Sequence, residues 1–598
     1  MRRAPAAAAL AACLTAASLP TPAAAQTATA AKTSAAVLPA RTLLHFSIPS
    51  VDDLRERYNA TKGSGLLTGP ETADLREKFM AQYEQASAKL ESEIGVGLDD
   101  ILTVAEDEFS ISVSEPDDGP LALLLFIGFG EDSSTVDALT DKIQDAYKSQ
   151  GGTVDTADVG GVELVNAYDP NGDVDHEAFS FNYFIADGVW VIGTNKAALE
   201  SVVERWGGDS DDTLASDEQF EEMMERVTPV EGRTPALMSY IDPLELARSA
   251  AGVVNQVEPQ AGQGINMALG FLPLTGLQNL VAASSATDFG DLDDGVESLG
   301  KGFVKINKPT NGLLEVFKAV DGEQAPPSWV SDDAASYQSF TWAVEDAYNA
   351  IEQTIDQFQG RGATQRQLDQ IRDMPGGPGI DIKADVLDQL EGTVRTATYP
   401  NEGTTAQNLT PEDLAKIGGS QLFAVRLKRT HNLGETIGKV LENAPAEVET
   451  RDFRGTTIYE FDMDEAGVGG FAIANDHLLI STDVTVLEKV LREGGSPLAE
   501  SDKFERATED MPLDGAGLIY NDPAAQLRGP YEMARNGAFD DLLRENTDDD
   551  FPTEEVLDIV HDLPAFADIA KYFGLGAAYT SVEDDGYLLI QRTVETED

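Results

Sequence analysis

The chain has 598 residues, 42% of them hydrophobic and 25% charged, as in a folded protein long enough for two or more domains. Its 105 acidic residues outnumber 42 basic ones and give a formal net charge of −63. So acidic a surface disfavours binding to nucleic acid and to anionic lipid head groups, and we expect no nucleic-acid partner.

The N-terminus has the features of a secretory signal peptide. Arg2 and Arg3 precede a mostly apolar stretch, and residues 23–25 form an A-x-A cleavage site. We therefore expect residues 1–25 to be removed after Ala25, and an Ala/Thr-rich flexible leader to follow at 26–36. The mature protein is expected in the periplasm or outside the cell.

Residues 10–13 read Leu-Ala-Ala-Cys and resemble a bacterial lipobox. Lipidation of Cys13, with association with the outer membrane, is therefore the alternative to cleavage after Ala25. Cys13 is the single cysteine, so a chain cut after Ala25 has no structural disulfide. The most apolar later run, residues 121–129, is too short to span a bilayer, and no transmembrane helix is expected.

Hydrophobic periodicity predicts the elements that follow. In the first half it predicts strands at 42–48, 108–113, 121–129 and 162–167, with helices at 51–58, 79–90 and 136–147. In the second half it predicts strands at 339–343, 422–427 and 457–461, with helices at 347–358 and 433–441.

One stretch occurs twice, at residues 183–206 and 471–493, with an offset of 288. Each copy predicts a β-hairpin, whose turn is Asp187-Gly188 in the first and Asn475-Asp476 in the second. An amphipathic helix follows, with Thr194 and Thr482 as expected N-caps. The apolar face of the first helix is expected to comprise Leu199, Val202, Val203 and Trp206.

Further matching segments lie in the same order on both sides of the repeated stretch, which indicates an internal duplication. We therefore expect two tandem homologous lobes at 37–305 and 331–598, joined by a connector at 306–330. Strands joined by hairpins, with helices between them, favour an α+β fold. Each lobe is predicted to be a mostly antiparallel sheet covered by amphipathic helices. Function is expected to lie where the two copies differ.

These motifs resemble a family of secreted bacterial proteins known only as a domain of unknown function, often with two such halves. The resemblance extends over most of the mature chain. The residues that carry it are Leu38-Pro39-Ala40, Thr42-Leu43-Leu44, Ile192-Gly193, Leu199-Glu200, Leu214-Ala215 and, in the second half, Pro327-Ser328-Trp329-Val330. The resemblance implies no activity, catalytic residue or cofactor.

No linear motif for catalysis is present. The sequence lacks a G-x-S-x-G elbow, a Walker A loop, a G-x-G-x-x-G turn after a strand and an H-E-x-x-H motif. The five histidines are scattered and do not occupy equivalent places in the two halves. We therefore predict no catalytic and no cofactor-binding residues, and favour a protein that is not an enzyme.

A calcium site is the metal-binding alternative to an ordinary turn at residues 169–177. Asp169, Asn171, Asp173 and Asp175 alternate oxygen ligands in the manner of a calcium loop. The segment departs from the EF-hand pattern, because it lacks the glycine at position six and has Ser180 at position twelve.

Three functions remain open. The first is an exported, non-enzymatic binding or envelope-associated protein with a cleft between its lobes. The second is a carrier of a lipid or another hydrophobic ligand, for which the apolar segment 261–280 would line a pocket; its alternative interpretation is a helix packed in the core. The third is a hydrolase whose site is assembled only in three dimensions.

Overall fold

The structure is a computed structural model. It describes residues 33–596 except for 95–102, 117–120, 132, 171–179, 209, 258, 291, 293–294, 375–376, 401–417, 430–431, 444–447, 464–466, 493–494 and 547–552. The predicted signal peptide, Cys13 and residues 26–32 of the predicted leader lie outside the described residues.

The described strands, in chain order, are β1 (Thr42–Ile48), β2 (Phe109–Ser114), β3 (Ala122–Gly128), β4 (Thr153–Val159), β5 (Val162–Tyr168), β6 (Phe181–Ala186), β7 (Val189–Gly193), β8 (Leu237–Ile241), β9 (Leu280–Phe289), β10 (Val296–Ile306), β11 (Gly322–Glu323), β12 (Ser336–Thr341), β13 (Leu390–Tyr399), β14 (Ser420–Leu427), β15 (Val448–Phe453), β16 (Thr456–Asp462), β17 (Val468–Ala474), β18 (His477–Ser481), β19 (Asp514–Gly515), β20 (Gly517–Asn521), β21 (Leu575–Glu583) and β22 (Gly586–Val594).

The described α-helices are α1 (Val51–Asn59), α2 (Gly65–Thr68), α3 (Ala73–Ile94), α4 (Ser134–Ser149), α5 (Lys196–Arg205), α6 (Glu218–Val227), α7 (Pro243–Val257), α8 (Pro259–Gly270), α9 (Leu272–Thr275), α10 (Leu313–Val316), α11 (Val344–Gln359), α12 (Ala363–Asp373), α13 (Leu433–Asn443), α14 (Val484–Val490), α15 (Asp502–Ala507), α16 (Pro523–Arg535), α17 (Asp540–Asn546), α18 (Thr553–His561) and α19 (Phe566–Ile569).

Twenty of the described strands form one antiparallel sheet, and β11 pairs with β19 in a separate ribbon. The strand order in the N-terminal half is β4-β5-β6-β7-β3-β2-β1-β8-β9-β10. The order in the C-terminal half is β15-β16-β17-β18-β14-β13-β12-β20-β21-β22, which matches the first strand for strand. The predicted α+β class with a large antiparallel sheet is confirmed.

The two halves of the sheet meet at β10 and β22. These strands pair antiparallel, from Val296 opposite Val594 to Lys305 opposite Gly586. Backbone hydrogen bonds therefore join the halves into a continuous sheet. A cleft was expected between two lobes, and at this junction the expectation is wrong, because the strands of both halves pair directly.

Side chains on both sides of the junction also connect the halves. Arg226 of α6 pairs with Asp585, with an Nη1 to Oδ1 distance of 2.8 Å. The rings of Phe271 and Phe358 lie 5.9 Å apart between centroids. The hydroxyl of Tyr572 donates to Glu71 at 2.5 Å.

Each half has its main hydrophobic core on the same face of the sheet, which we call the core face; the opposite side is the outer face. In the N-terminal half, Leu124 and Phe184 of the sheet pack with Leu199 of α5 and Met223 of α6. In the C-terminal half, the main buried residues are Tyr337, Leu422, Leu479, Leu487 of α14 and Phe504 of α15.

The repeated stretch forms the predicted hairpin and helix in both halves. The turn residues Asp187, Gly188, Asn475 and Asp476 have positive φ angles of 50°, 77°, 54° and 59°, as the predicted turns require. The four residues of the expected helix face, Leu199, Val202, Val203 and Trp206, are all buried, so that prediction is confirmed.

The predicted N-caps are wrong by one residue. Asn195 caps α5 by accepting from the Ala198 N–H, and Asp483 caps α14 by accepting from the Thr485 N–H. The hydroxyl of Thr194 instead accepts from the backbone N–H of Leu123, at 3.0 Å, which ties the hairpin to the next strand. Thr482 makes the equivalent bond with Gln421.

The predicted boundaries of the flexible leader and the connector also need correction. Ser34 is 1% exposed, and its backbone and hydroxyl groups both donate to the buried carboxylate of Glu108. Order therefore begins before residue 37. At the other boundary, Ile306 is the last residue of β10, and Gln324 of the connector is fully buried, with Nε2 donating to the Gly515 carbonyl at 2.6 Å.

Candidate functional site

The outer face of the C-terminal half exposes large apolar side chains. Along β14, Leu422 and Ala424 point into the core and are each 1% exposed, whereas Phe423 between them is 39% exposed. The same alternation on β20 leaves Ile519 at 44% exposed between Leu518 and Tyr520. Since alternate residues of a strand point to opposite faces, these side chains lie on one surface.

Strand register places seven outer-face residues in line across seven neighbouring strands. We call this line the apolar row, and its members are Ile519, Gln338, Thr396, Phe423, Ile480, Phe471 and Tyr459. With neighbouring strands about 4.8 Å apart, the row is about 29 Å long. Ile480 is 37% exposed, so the accessible part extends over several strands.

A second line of outer-face residues runs beside the apolar row. Its members are Phe340, Val394, Val425, Leu478 and Ile473. Phe340 is 42% exposed. Neither line contains a charged side chain, although a quarter of the whole chain is charged. The surface is therefore uncharged over two adjacent lines of residues, and it is apolar except at Gln338 and Thr396.

The equivalent line in the N-terminal half is covered at its end on β5 and β6. Its members, found from the matching registers, are Ser239, Phe46, Ile111, Leu125, Ile192, Tyr183 and Val165. Tyr183 and Val165 are each 4% exposed, because they form a second core with Val136 of α4. The helices that cover the two halves therefore differ in how they meet the sheet.

The apolar row ends in an open depression of about 460 Å³ beside the N-terminus of α13. Its lining combines backbone and side chains from α13, the β15–β16 turn and two outer strands: Asn432, Gly434, Glu435, Gly455, Thr456, Thr457, Tyr459 and Ile473. The volume lies within the usual range of small-molecule sites. Tyr459 belongs to the apolar row and Ile473 to the neighbouring line, so the depression is continuous with the apolar surface.

Tyr459 stands against Phe471, with ring centroids 4.7 Å apart and an interplanar angle of 5°. The two residues are direct partners of β16 and β17, which explains the stacking. Stacked aromatic neighbours restrict each other's rotamers and give the end of the row a fixed shape.

A second depression, of about 410 Å³, lies on the surface of α11 and the turn after it. It is lined by Glu352, Gln353, Asp356, Gln357 and Arg361, all polar or charged. Asp356 already accepts hydrogen bonds from the backbone N–H groups of Gly362 and Thr364, so its carboxylate has a structural role.

Two buried polar clusters lie on the core face, away from the depression. In the first, Glu108 accepts from Ser34 and Ser47, and burial raises the pKa of the Glu108 carboxyl against these hydrogen bonds. His45, 1% exposed, contacts Ser112 at 3.0 Å, and burial lowers the pKa of His45 to about 4.

The second cluster surrounds Arg395, which is 3% exposed. Its guanidinium contacts the Tyr337 hydroxyl at 3.2 Å, His477 Nε2 at 2.9 Å and the Glu323 carbonyl at 3.0 Å. His477 Nδ1 lies 2.6 Å from the Asn475 carbonyl, so Nδ1 donates and neutral Nε2 accepts. Burial, aided by Arg395, lowers the pKa of His477 to about 4.

We expect the buried histidines to weaken the fold as the pH falls from 7.5 towards 4. An unfolded histidine takes up a proton near pH 6.5, whereas folded His477 resists protonation until about pH 4. Stability attributable to His477 is therefore complete above pH 6.5 and is lost towards pH 4, by up to about 3 kcal/mol. Urea denaturation of wild type and His477→Gln at several pH values measures this difference.

Glu108 contributes with the opposite sign, because its raised pKa makes the folded state hold a proton that the unfolded state releases. The contribution of His477 is therefore measured as the difference in the free energy of unfolding between wild type and His477→Gln at each pH. Parallel stability curves for the two proteins between pH 4.5 and 7.5 would contradict the assignment.

Of the four predicted calcium ligands, Asp169 lies among the described residues. Asp169 is described and solvent-exposed, while Asn171, Asp173 and Asp175 lie outside the described residues. Among the residues that the structure describes, no group of three or more His, Cys, Asp or Glu side chains is placed to hold a metal ion.

Segment 261–280 is not a helix packed in the core. Residues 259–270 form α8, on which Ile265 and Met267 are exposed, and Phe271 follows at 44% exposed. The helix therefore exposes apolar side chains to solvent. Of the described histidines, His45 and His477 occupy separate clusters, and His561 contacts Asp540.

Comparison with protein families, with curated proteins and with solved structures finds no match to this chain. The class is therefore defined by the fold alone: an α+β protein built on one continuous antiparallel sheet. Within the described residues, no helix is long and apolar enough to cross a membrane.

Reasoning from the sequence did not find the apolar row. The signal available was the pair of short unbroken apolar runs, residues 422–425 of β14 and 478–480 of β18, in which Phe423 and Ile480 stand at positions that would be polar on a solvated face. Such a run predicts a strand covered on both faces, and it does not reveal that one cover is incomplete.

Proposed function

We propose that the protein is an exported, non-enzymatic binding protein that holds a hydrophobic ligand along the apolar row. The observation that carries the proposal is the exposure of Phe423, Ile480 and Ile519 on an uncharged surface of a chain with net charge −63. Exposing adjacent apolar side chains to water costs free energy, and such a surface is typically covered by a ligand or a partner.

A hydrocarbon ligand fits this surface better than a second copy of the protein. Two chains of charge −63 repel each other when their faces approach, whereas an uncharged hydrophobic molecule meets no such barrier. The row also offers no charged group for pairing with a charged peptide. Burial of apolar area is therefore its main source of binding free energy.

The matching strand orders support an origin by duplication, with two homologous halves that have since diverged. In the N-terminal half, α4 fills the space over Tyr183 and Val165. In the C-terminal half, α13 packs beside the short helical segment Ile382–Val386, and the depression lies between its N-terminus and the sheet. Among the described residues, the large apolar members of the two equivalent lines that are more than a third exposed therefore belong to the C-terminal half.

Export rests on the predicted signal peptide, and the carrier and envelope-associated alternatives both fit the proposed ligand surface. The hydrolase alternative has less support. The two imidazoles with strongly lowered pKa values, His45 and His477, are buried on the core face and not at the depression.

We expect the double variant Phe423→Ser/Ile480→Ser to bind the neutral hydrophobic dye N-phenyl-1-naphthylamine about tenfold more weakly than wild type. The reason is that both side chains lose most of the apolar area that a ligand would cover. Dye fluorescence titration measures the change. Because Phe423 and Ile480 are only partly exposed, at 39% and 37%, we expect the free energy of unfolding to fall by roughly 2–3 kcal/mol.

The matched control is Phe79→Ser/Met267→Ser, which removes two apolar side chains that are 63% and 66% exposed and lie outside the row. This control should bind the dye as wild type does. Equal losses in both double variants, or no dye binding by wild type, would refute the proposed function.

A further inference from the structure

The depression beside α13 supplies polar groups at the end of the apolar row. Glu435 lies in the first turn of α13, Asn432 precedes the helix, and Thr457 stands on the same face of β16 as Tyr459. A molecule extended along the row would place its terminal group among these side chains. The two surfaces together therefore have the form of a site for an amphiphile.

The charges around the depression disfavour an anionic terminal group. An anion would approach the Glu435 carboxylate in a chain of net charge −63. A cation would have Glu435 as its single carboxylate partner in the lining, whose other polar side chains are the uncharged groups of Asn432, Thr456, Thr457 and Tyr459. An uncharged group rich in hydroxyls can form hydrogen bonds with all of these side chains.

The lining can make hydrogen bonds with hydroxyl groups in both directions. The Glu435 carboxylate accepts, the Thr457 hydroxyl donates or accepts, and the Asn432 side chain does both. Glu435 is exposed and lines the depression, so its carboxylate is accessible to a ligand. The Tyr459 ring adds an apolar face next to these polar groups, suited to the C–H face of a sugar ring.

We infer that the ligand is an amphiphile whose long apolar chain lies along the apolar row and whose uncharged, hydroxyl-rich headgroup occupies the depression. The inference rests on the proposed function and adds the chemical class of the headgroup. The volume of about 460 Å³ accommodates a headgroup of the size of a sugar.

The test compares amphiphiles with the same dodecyl chain, each below its critical micelle concentration, by isothermal titration calorimetry. Dodecyl maltoside carries the hydroxyl-rich headgroup, and dodecyl octaethylene glycol ether is uncharged without its array of hydroxyls. Dodecyl sulfate and dodecyl trimethylammonium supply the two charges. Wild type should bind the maltoside about tenfold more tightly than the ether, because the ether leaves the lining without hydroxyl partners.

Glu435→Ala/Thr457→Val should reduce this preference to about twofold or less while leaving binding of the ether unchanged. Glu442→Ala, which removes a carboxylate from the same helix but not from the lining, is the charge control and should keep the full preference. Equal affinity for maltoside and ether would overturn the headgroup inference and leave the proposed function standing. Tighter binding of the sulfate or the trimethylammonium compound would also overturn it. Failure of all four to bind would overturn both.

Discussion

Replacing Arg395 with alanine is expected to lower the free energy of unfolding by about 3–5 kcal/mol. The guanidinium is buried and donates to the Tyr337 hydroxyl, to His477 Nε2 and to the Glu323 carbonyl. Alanine leaves a cavity and removes the donor from all three acceptors at once. Urea denaturation at pH 7.5, where His477 is neutral in both states, measures the loss.

The control for this prediction is Arg395→Met, which keeps much of the side-chain volume and removes the charge. Methionine abolishes the hydrogen bonds, but it also abolishes the cost of burying a guanidinium, so the loss should be at most about half of that for alanine. A change below about 1 kcal/mol for Arg395→Ala would show that the cluster does not stabilise the fold.

Gly586→Ala is expected to destabilise the junction between the two halves by about 3 kcal/mol or more. A Cβ at this position would lie 2.1 Å from the Val304 carbonyl oxygen and 3.0 Å from its carbon. These are backbone atoms of β10, so neither can move without opening the β10–β22 ladder. The neighbouring Asp585 would also shift relative to Arg226, which it pairs with across the junction.

Gly302→Ala is the matched control, because Gly302 belongs to the same ladder, opposite Leu589. A Cβ there has its nearest neighbour, the Ser284 carbonyl oxygen, at 3.7 Å, an ordinary contact. Thermal unfolding and limited proteolysis within residues 306–330 should separate the two variants. Equal stability of Gly586→Ala and Gly302→Ala would show that the β10–β22 pairing can open at Gly586 without destabilising the protein, and would contradict the prediction.

The elements of the repeated stretch could be predicted because their causes are local. Positive-φ turn residues and the spacing of apolar side chains at i, i+3, i+4 and i+7 act within a few residues. The caps were missed by one position because Thr194 has a partner in another strand, the N–H of Leu123. Asn195 then takes the role of capping α5.

The boundaries predicted from composition failed for a related reason. The stretch before Val37 is rich in alanine and threonine, yet Ser34 is buried because Glu108 accepts hydrogen bonds from it. Composition measures how much apolar surface a segment can bury, and it carries no information about a polar partner 74 residues away.

By itself the sequence determined the α+β class and the repeated hairpin and helix. The tertiary structure alone decided that the strands of both halves join in one sheet and that Phe423 and Ile480 stand side by side on an accessible face. The physical reason is that strand pairing and the cover over a face depend on contacts between residues far apart in the chain. In the N-terminal half that cover is complete over Tyr183, whereas in the C-terminal half it leaves the apolar row open.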